Sequence, residues 1–179
     1  MKVVKSYTKD EIAPAGCGGI ATGGKVYINS GTATSGHVYV FDSAHNLKKS
    51  LNLTSYGTDA HGMVLTGGGK YLWIGNRANG DNIVVIDTSR DEVAGIISPV
   101  GSAPDIMDIS PDGSFVYVAL RPANPLTGGA PARGEKPGIQ VIEVTEGGAK
   151  GAQKLFIPIG DQSPQSPNDV HAVAVLTLK

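Results

Sequence analysis

The sequence predicts an all-β fold, a partial β-propeller with three complete four-stranded blades and one lone strand at each end. Three observations lead to this prediction: a long internal repeat, short runs of β-branched and aromatic residues, and many turn residues. The 25 glycines and 11 prolines make up about a fifth of the 179 residues, against roughly 12% in average proteins. We therefore expect short strands and tight turns, since no segment keeps the 3.6-residue periodicity of a helix.

Each repeat is marked by an aromatic residue within an apolar run that follows glycine. These residues are Tyr27, Trp73 and Tyr117, which stand 46 and 44 residues apart. A second apolar run follows each one and ends in an acid, namely Asp42, Asp87 and Glu143. We interpret these acids as turn residues that bond nearby backbone amides. Two further runs complete the period, and a repeat of about 40–45 residues with four strands is typical of a propeller blade.

The predicted boundaries divide a single segment, residues 1–179, into blades at about 16–54, 60–100 and 104–160. We expect a lone outer-type strand near Val3–Tyr7 and a lone inner-type strand at Val170–Leu178. Closed propellers need about four to eight blades, so the chain is predicted to be a portion of a larger ring. The expected partner is the remainder of the propeller, or further copies that associate through exposed blade faces.

Two parts of the chain resemble a known repeat family. The run Gly101–Asp105 followed by Ser110–Ala119, and the run Asn82–Thr88, are similar to the YVTN-type β-propeller repeat. The resemblance implies a propeller over nearly the whole chain. The class includes lactonase-like proteins, quinoprotein amine dehydrogenase-like propeller domains and surface-layer proteins, so it implies no single activity. No catalytic set of the family maps onto these residues.

Charge and composition argue against several kinds of partner. The formal net charge is −1 and the basic residues form no block, which argues against binding to nucleic acid or to an anionic membrane surface. The longest apolar runs, such as Ile83–Ile86, fall far short of the roughly 20 residues that a membrane span needs. The only cysteine, Cys17, forms no internal disulfide, and we interpret it as a small buried residue.

Polar residues at equivalent positions of the repeat form the candidate site. We label the strands of each blade A to D from the axis outward, so that the D–A and B–C connections emerge at one mouth of the channel. The residues predicted to bind a ligand there are Asp59, His61, Arg77, Asp105, Arg121 and His171. Such a ring can hold an anion or a metal, but lining a water-filled channel is an open alternative. The two histidines do not have the local spacing of a zinc motif, so we expect no metal and no cofactor.

The third blade contains an insertion. Trp73 and Tyr117 are 44 residues apart, whereas Asp87 and Glu143 are 56 apart, so the B–C loop has gained 12 residues. The insertion lies within Pro122–Pro137, and its charged residues Arg133, Glu135 and Lys136 are expected to overhang the channel mouth. The alternative is that the insertion is a solvent-exposed loop without a role in binding.

The leading functional hypothesis is a binding or scaffold segment that holds a small polar ligand or a protein partner at the channel mouth. One alternative is a propeller enzyme that hydrolyses a lactone or carries out a redox step, and another is a structural cell-surface repeat protein. Low charge and abundant Gly, Ser, Thr and Asn favour a periplasmic or extracellular location. The N-terminus does not read as a signal peptide, so if the natural protein is exported, its signal is expected to lie outside this chain.

Overall fold

The computed structural model describes residues 2–129, 132–165 and 168–177. Over this part of the chain, twelve strands form three four-stranded antiparallel sheets, each in sequential order, which is the predicted all-β, propeller-type architecture. Blade 1 consists of β1 (Gly16–Thr22), β2 (Lys25–Thr32), β3 (Ser35–Phe41) and β4 (Leu47–Asn52). Blade 2 consists of β5 (Thr58–Thr66), β6 (Tyr71–Ala78), β7 (Asn82–Asp87) and β8 (Glu92–Ile97). Blade 3 consists of β9 (Pro104–Ile109), β10 (Phe115–Leu120), β11 (Gly138–Thr145) and β12 (Lys150–Pro158).

The core lies between the blades, in two layers on either side of blade 2. Side chains alternate across a strand, so Leu72 and Ile74 of β6 face blade 1 while Trp73 faces blade 3. Trp73 is fully buried, and its Nε1 donates a hydrogen bond of 2.8 Å to the carbonyl of Gly148 in blade 3. This burial on both faces explains why the middle strands of blade 2 read as continuous apolar runs.

The turn acids have the predicted role in two of three cases. Asp42 accepts bonds from the amides of Ala44 and Asn46, and the amide of Ser89 donates to Asp87 at 2.8 Å. Hydrogen bonds to the charged form favour it, and they lower the pKa of both carboxyls. For Glu143 the interpretation is wrong: its carboxylate pairs with Lys154 of the neighbouring strand at 2.8 Å.

The two predicted lone strands are not formed. Residues 3–7 have no strand pairing; instead the ring of Tyr7 packs against Phe41 at 5.2 Å. Near the C-terminus, the amide of Ile106 bonds the carbonyl of His171 at 3.3 Å, without a continuous ladder, and Leu178 lies outside the described residues. A strand needs a hydrogen-bonded neighbour along its length, and the sheets of the described chain offer none at either place.

The outer strand of blade 3 presents an exposed apolar row. Leu155 and Ile157 of β12 and the following Ile159 are 56%, 41% and 41% exposed. Exposed apolar rows of this kind are typical of surfaces that contact another protein element. Among the described residues, no helix has the length and apolar character required to cross a membrane.

Candidate functional site

The inner strands of the three blades, β1, β5 and β9, carry the same irregularity near their first residues. Each advances three residues while its neighbouring strand advances two, which is a β-bulge. Cys17, His61 and Asp105 occupy equivalent places in these bulges. Bulges re-aim side chains and are frequent beside functional sites. Because β5 packs between β1 and β9, the bulges bring these three side chains together near the axis.

All six sequence-predicted site residues meet at this end of the blades. Together with Asp169, which follows the third blade, they form what we call the mouth cluster: Asp59, His61, Arg77, Asp105, Arg121, Asp169 and His171. That these residues bind a ligand stays a prediction. They converge because they stand at equivalent positions of successive blades, at the same level along the channel axis.

Opposite charges alternate through the mouth cluster. Arg77 contacts Asp59 at 2.7 Å and Asp105 at 3.3 Å. Arg121 lies 3.4 Å from Asp105 and 2.9 Å from Asp169. The result is a chain of five charges, Asp–Arg–Asp–Arg–Asp, which crosses from blade 2 to the segment that follows blade 3. Burial opposes the charge of Arg77, but its bonds to Asp59 and Asp105 outweigh that effect and raise its pKa.

The centre of this chain of charges is deeply buried and incompletely bonded. Asp105 and Arg121 are each 0% exposed. Within the described part of the chain, Asp105 Oδ1 and the Nε and Nη1 atoms of Arg121 have no hydrogen-bond partner. Most buried polar atoms in proteins are hydrogen-bonded. Unused donors and acceptors at a buried place are groups that a ligand, an ion or ordered water can satisfy.

His61 is the most central histidine. Its Nε2 lies 3.3 Å from Asp105 Oδ1, 3.2 Å from Arg77 Nη1 and 3.2 Å from Cys17 Sγ. Burial is the main cause of a lowered pKa for this imidazole. The Asp105 carboxylate acts to raise that pKa, whereas the Arg77 guanidinium lowers it further. His61 is therefore neutral near pH 7. The ring of His171 lies 6.2 Å away and is more open, with 42% of its side chain exposed.

The lowered pKa of His61 predicts a loss of stability in mild acid. The unfolded chain takes up a proton on this histidine near pH 6.5, whereas the folded protein does so only at lower pH. The unfolded state thus binds more protons in that window, and the free energy of unfolding falls as pH decreases. Urea unfolding at about pH 7.5 and about pH 5.5 measures this fall.

Matched histidine variants separate His61 from the other histidines in that measurement. We expect the pH-dependent loss to be smaller in His61→Gln. It should persist in His45→Asn, which removes an exposed imidazole in the loop between β3 and β4 and keeps a residue that tolerates the φ of 63° found there. If the free energy of unfolding of His61→Gln depends on pH as strongly as that of the wild type, His61 is not the cause of the loss of stability in mild acid.

The expectation that Cys17 is a buried filler is wrong. The residue is exposed, while its thiol, in contact with His61, is partly shielded from water. That shielding raises the pKa of the Cys17 thiol above its usual value, although Arg77 opposes the effect. The thiol is therefore protonated near neutral pH and is not an activated nucleophile.

The insertion in the third B–C loop reaches the mouth cluster through residues other than those predicted. Thr127 donates to Asp169 Oδ2 at 2.8 Å, and Arg121 Nη2 donates to Thr127 Oγ1 at 3.1 Å. Gly128 lies over both guanidinium groups, where an added Cβ would come within 3.4 Å of Arg77 Nη1 and 3.5 Å of Arg121 Nη2. The charged residues of the insertion, Arg133, Glu135 and Lys136, are exposed; they were expected at the mouth, but Thr127 and Gly128 make the contacts described there.

A pocket of about 210 Å³ opens beside the mouth cluster. It is lined by Cys17, His61, Met63 and Ile106 together with glycines of β1 and β5. A cavity of about 380 Å³ lies between blades 2 and 3 and is lined by Val100, Phe156 and their neighbours, with none of the cluster residues. The smaller pocket therefore adjoins the cluster through His61, while a further cavity of about 390 Å³ is lined by two other cluster members, Asp169 and His171.

Asp169 and Thr127 are the functional candidates that sequence reasoning missed. A signal for Asp169 was present, because Asp59-Ala60-His61 and Asp169-Val170-His171 share the pattern Asp-X-His at equivalent repeat positions. In each case the aspartate contacts an arginine at the end of a B strand, which is Arg77 within β6 or Arg121 directly after β10. No comparable signal marks Thr127, because its position depends on the path of the inserted loop.

No known protein family model matches the chain, and no curated protein matches it. Similar solved structures include a protein of unknown function from Desulfotomaculum acetoxidans, with a TM-score of 0.60 and 18% identity over 86% of this chain and 46% of that one. Hydrazine synthase from Kuenenia stuttgartiensis matches with a TM-score of 0.59 and 19% identity over 78% of this chain and 40% of that one. A candidate 6-phosphogluconolactonase from Bacteroides fragilis matches with a TM-score of 0.56 and 21% identity over 79% of this chain and 38% of that one.

These similarities support the fold and no more. The neighbours are propeller-type structures, and identities of 18–21% do not carry a function from one protein to another. The chain spans less than half the length of each of these proteins. The chain therefore has an all-β, propeller-type fold, and its closer resemblance to the YVTN-type repeat stays a prediction.

Proposed function

We propose that the chain is a ligand-binding propeller segment and that a small polar ligand, neutral or positively charged, binds at the mouth cluster. The observation that carries the proposal is Asp105, a fully buried carboxylate with no hydrogen-bond partner for Oδ1 among the described residues. It lies directly before Ile106, which lines the adjoining pocket with His61.

The charge of the mouth cluster selects the class of ligand. The three carboxylates and two guanidinium groups of the cluster together carry a net charge of −1. Both guanidinium groups already lie against carboxylates. An anion entering here would face uncompensated negative charge, whereas a neutral hydroxyl or amide, or a cation, finds acceptors in a weakly polarisable surrounding.

The size of the pocket limits the ligand further. Its volume of about 210 Å³ is below the roughly 300–1,000 Å³ of sites for drug-sized molecules. The exposed Cys17 lines the pocket, and the half-open ring of His171 lies 6.2 Å from the ring of His61, which also lines it. A compound of few heavy atoms with hydroxyl, amide or ammonium groups fits these properties.

Calorimetric titration tests the proposal. Metal-free protein, prepared with EDTA, is titrated with glycerol, ethanolamine, glucono-δ-lactone and, as the anionic probe, citrate. We expect heat from at least one neutral or cationic probe and none from citrate. The affinity should fall in His171→Gln and stay unchanged in His45→Asn. Binding of citrate alone, or equal affinity in His171→Gln, would contradict the proposal.

Lactone hydrolysis is a second candidate function that one observation favours. His61 is kept neutral beside the pocket, so its imidazole can accept a proton from a water that attacks a carbonyl. The fold similarity to the candidate 6-phosphogluconolactonase adds a weak analogy. Acid release from glucono-δ-lactone in the same samples tests this candidate, and a rate equal in the wild type and His61→Gln would reject it.

A further inference from the structure

The mouth cluster contains a set of possible metal-ligating atoms that no local sequence motif predicted. His61, Asp105 and His171 each offer one ligand atom, and the three atoms lie within 4.8 Å of one another. They come from β5, from β9 and from the segment after blade 3. These residues stand at equivalent places of successive repeats, so the fold brings them together although they are far apart in the chain.

The separations suit a small divalent ion. His61 Nε2 is 3.3 Å from Asp105 Oδ1, and tetrahedral zinc with bonds of about 2.0–2.1 Å holds its ligands roughly 3.3–3.5 Å apart. His171 Nε2 lies 3.9 Å from Asp105 Oδ2. Since 42% of the His171 side chain is exposed, this ring has room to turn toward an ion held by the other two residues.

The two oxygens of Asp105 have separate environments, as expected for a metal-ligating carboxylate. Oδ2 lies 3.3 Å from Arg77 Nη1 and 3.4 Å from Arg121 Nε, which holds the orientation of the group. Oδ1 points to His61 and has no hydrogen-bond partner in the described chain. Outer contacts that fix one oxygen and leave the other free are the usual support of a ligating carboxylate.

We propose that His61, Asp105 and His171 bind one divalent first-row transition-metal ion, with zinc as the ion that the donor set fits best. The ion replaces the contact of 3.2 Å between Arg77 Nη1 and His61 Nε2, while Arg77 keeps its shorter bond to Asp59. Two histidines and one carboxylate leave a coordination position for water or a ligand. The inference deepens the proposed function and rests on it, because the ion occupies the same cluster.

Equilibrium dialysis of the full chain against Zn²⁺ tests the inference. Protein is first stripped with EDTA, dialysed against zinc chloride, and its zinc content is measured by mass spectrometry. Cobalt(II) is used in parallel, because its visible absorption reports the coordination geometry. We expect one ion per chain and an absorption spectrum of four- or five-coordinate cobalt. In His171→Gln the affinity should fall at least about 10–100-fold.

The choice of variants keeps the result interpretable. Asp105→Asn removes a ligand but disturbs buried charges, so His171→Gln, at a half-open position, is the decisive variant. His45→Asn is the matched control and should bind zinc as the wild type does. Zinc content near background in the wild type, or equal affinity in the wild type and His171→Gln, would overturn the proposal.

The two proposals fail in different ways. If organic probes bind the metal-free protein and zinc does not bind, the metal site is wrong and the proposed function stands. If zinc binds with the expected variant pattern while no organic probe binds with or without it, the metal site stands and the proposed function is wrong.

Discussion

Replacing Asp105 with alanine is expected to lower the free energy of unfolding by about 3–5 kcal/mol. The carboxylate is fully buried and lies between Arg77 and Arg121, at 3.3 and 3.4 Å. Without it, the buried guanidinium of Arg121 keeps one charged partner among the described residues, Asp169 at 2.9 Å. The charge of Arg121 is then less well compensated in a buried place, and this causes most of the loss. Urea unfolding measures the change through the fluorescence of Trp73, the single and fully buried tryptophan.

Two further variants make this prediction specific. Asp10→Ala removes an exposed aspartate of the N-terminal segment and should leave the unfolding curve close to that of the wild type. Asp105→Ala combined with Arg121→Met should cost less than the sum of the two single changes, because both remove the same contact. A loss no larger than that of Asp10→Ala, or strict additivity in the double variant, would contradict the chain of charges.

The fold was predictable because the repeat makes each blade a copy of the same pattern. Tyr27, Trp73 and Tyr117 all lie in the second strand of their blades, β2, β6 and β10, as their spacing predicts. Alternation within each strand then determines which side chains enter the layers between blades. The prediction of a lone strand at each end was wrong because a strand forms only beside a neighbouring strand, and a strand's own residues do not specify that neighbour.

The candidate site was predictable to the extent that it obeys the repeat. Residues at the same repeat position have the same height on successive blades, so His61, Asp105 and His171 were expected to meet. Cys17 occupies the same position, but the general preference of cysteine for burial led to the wrong environment. Thr127 lies in an inserted loop, whose path depends on its contacts with Arg121 and Asp169 rather than on any periodic pattern.

The close packing of two inner strands makes Gly62 a position beside the mouth cluster that tolerates no side chain. Gly62 lies in the bulge of β5, and an added Cβ would come 2.2 Å from the carbonyl oxygen of Asp105 and 2.9 Å from Ile106 Cα. Both are backbone atoms, so a side-chain rotation cannot relieve the clash. β9 must shift away from β5, which separates Asp105 from His61.

We therefore expect Gly62→Ala to lower the free energy of unfolding by about 1–3 kcal/mol and to disrupt the mouth cluster. The matched control is Gly95→Ala in β8, where an added Cβ meets no atom within 4 Å. There, the lower backbone entropy of the unfolded chain makes alanine neutral or slightly stabilising. Urea unfolding of both variants measures the difference. Equal midpoints would show that β5 and β9 are not in close contact at Gly62, and the geometry that brings His61 to Asp105 would then be wrong.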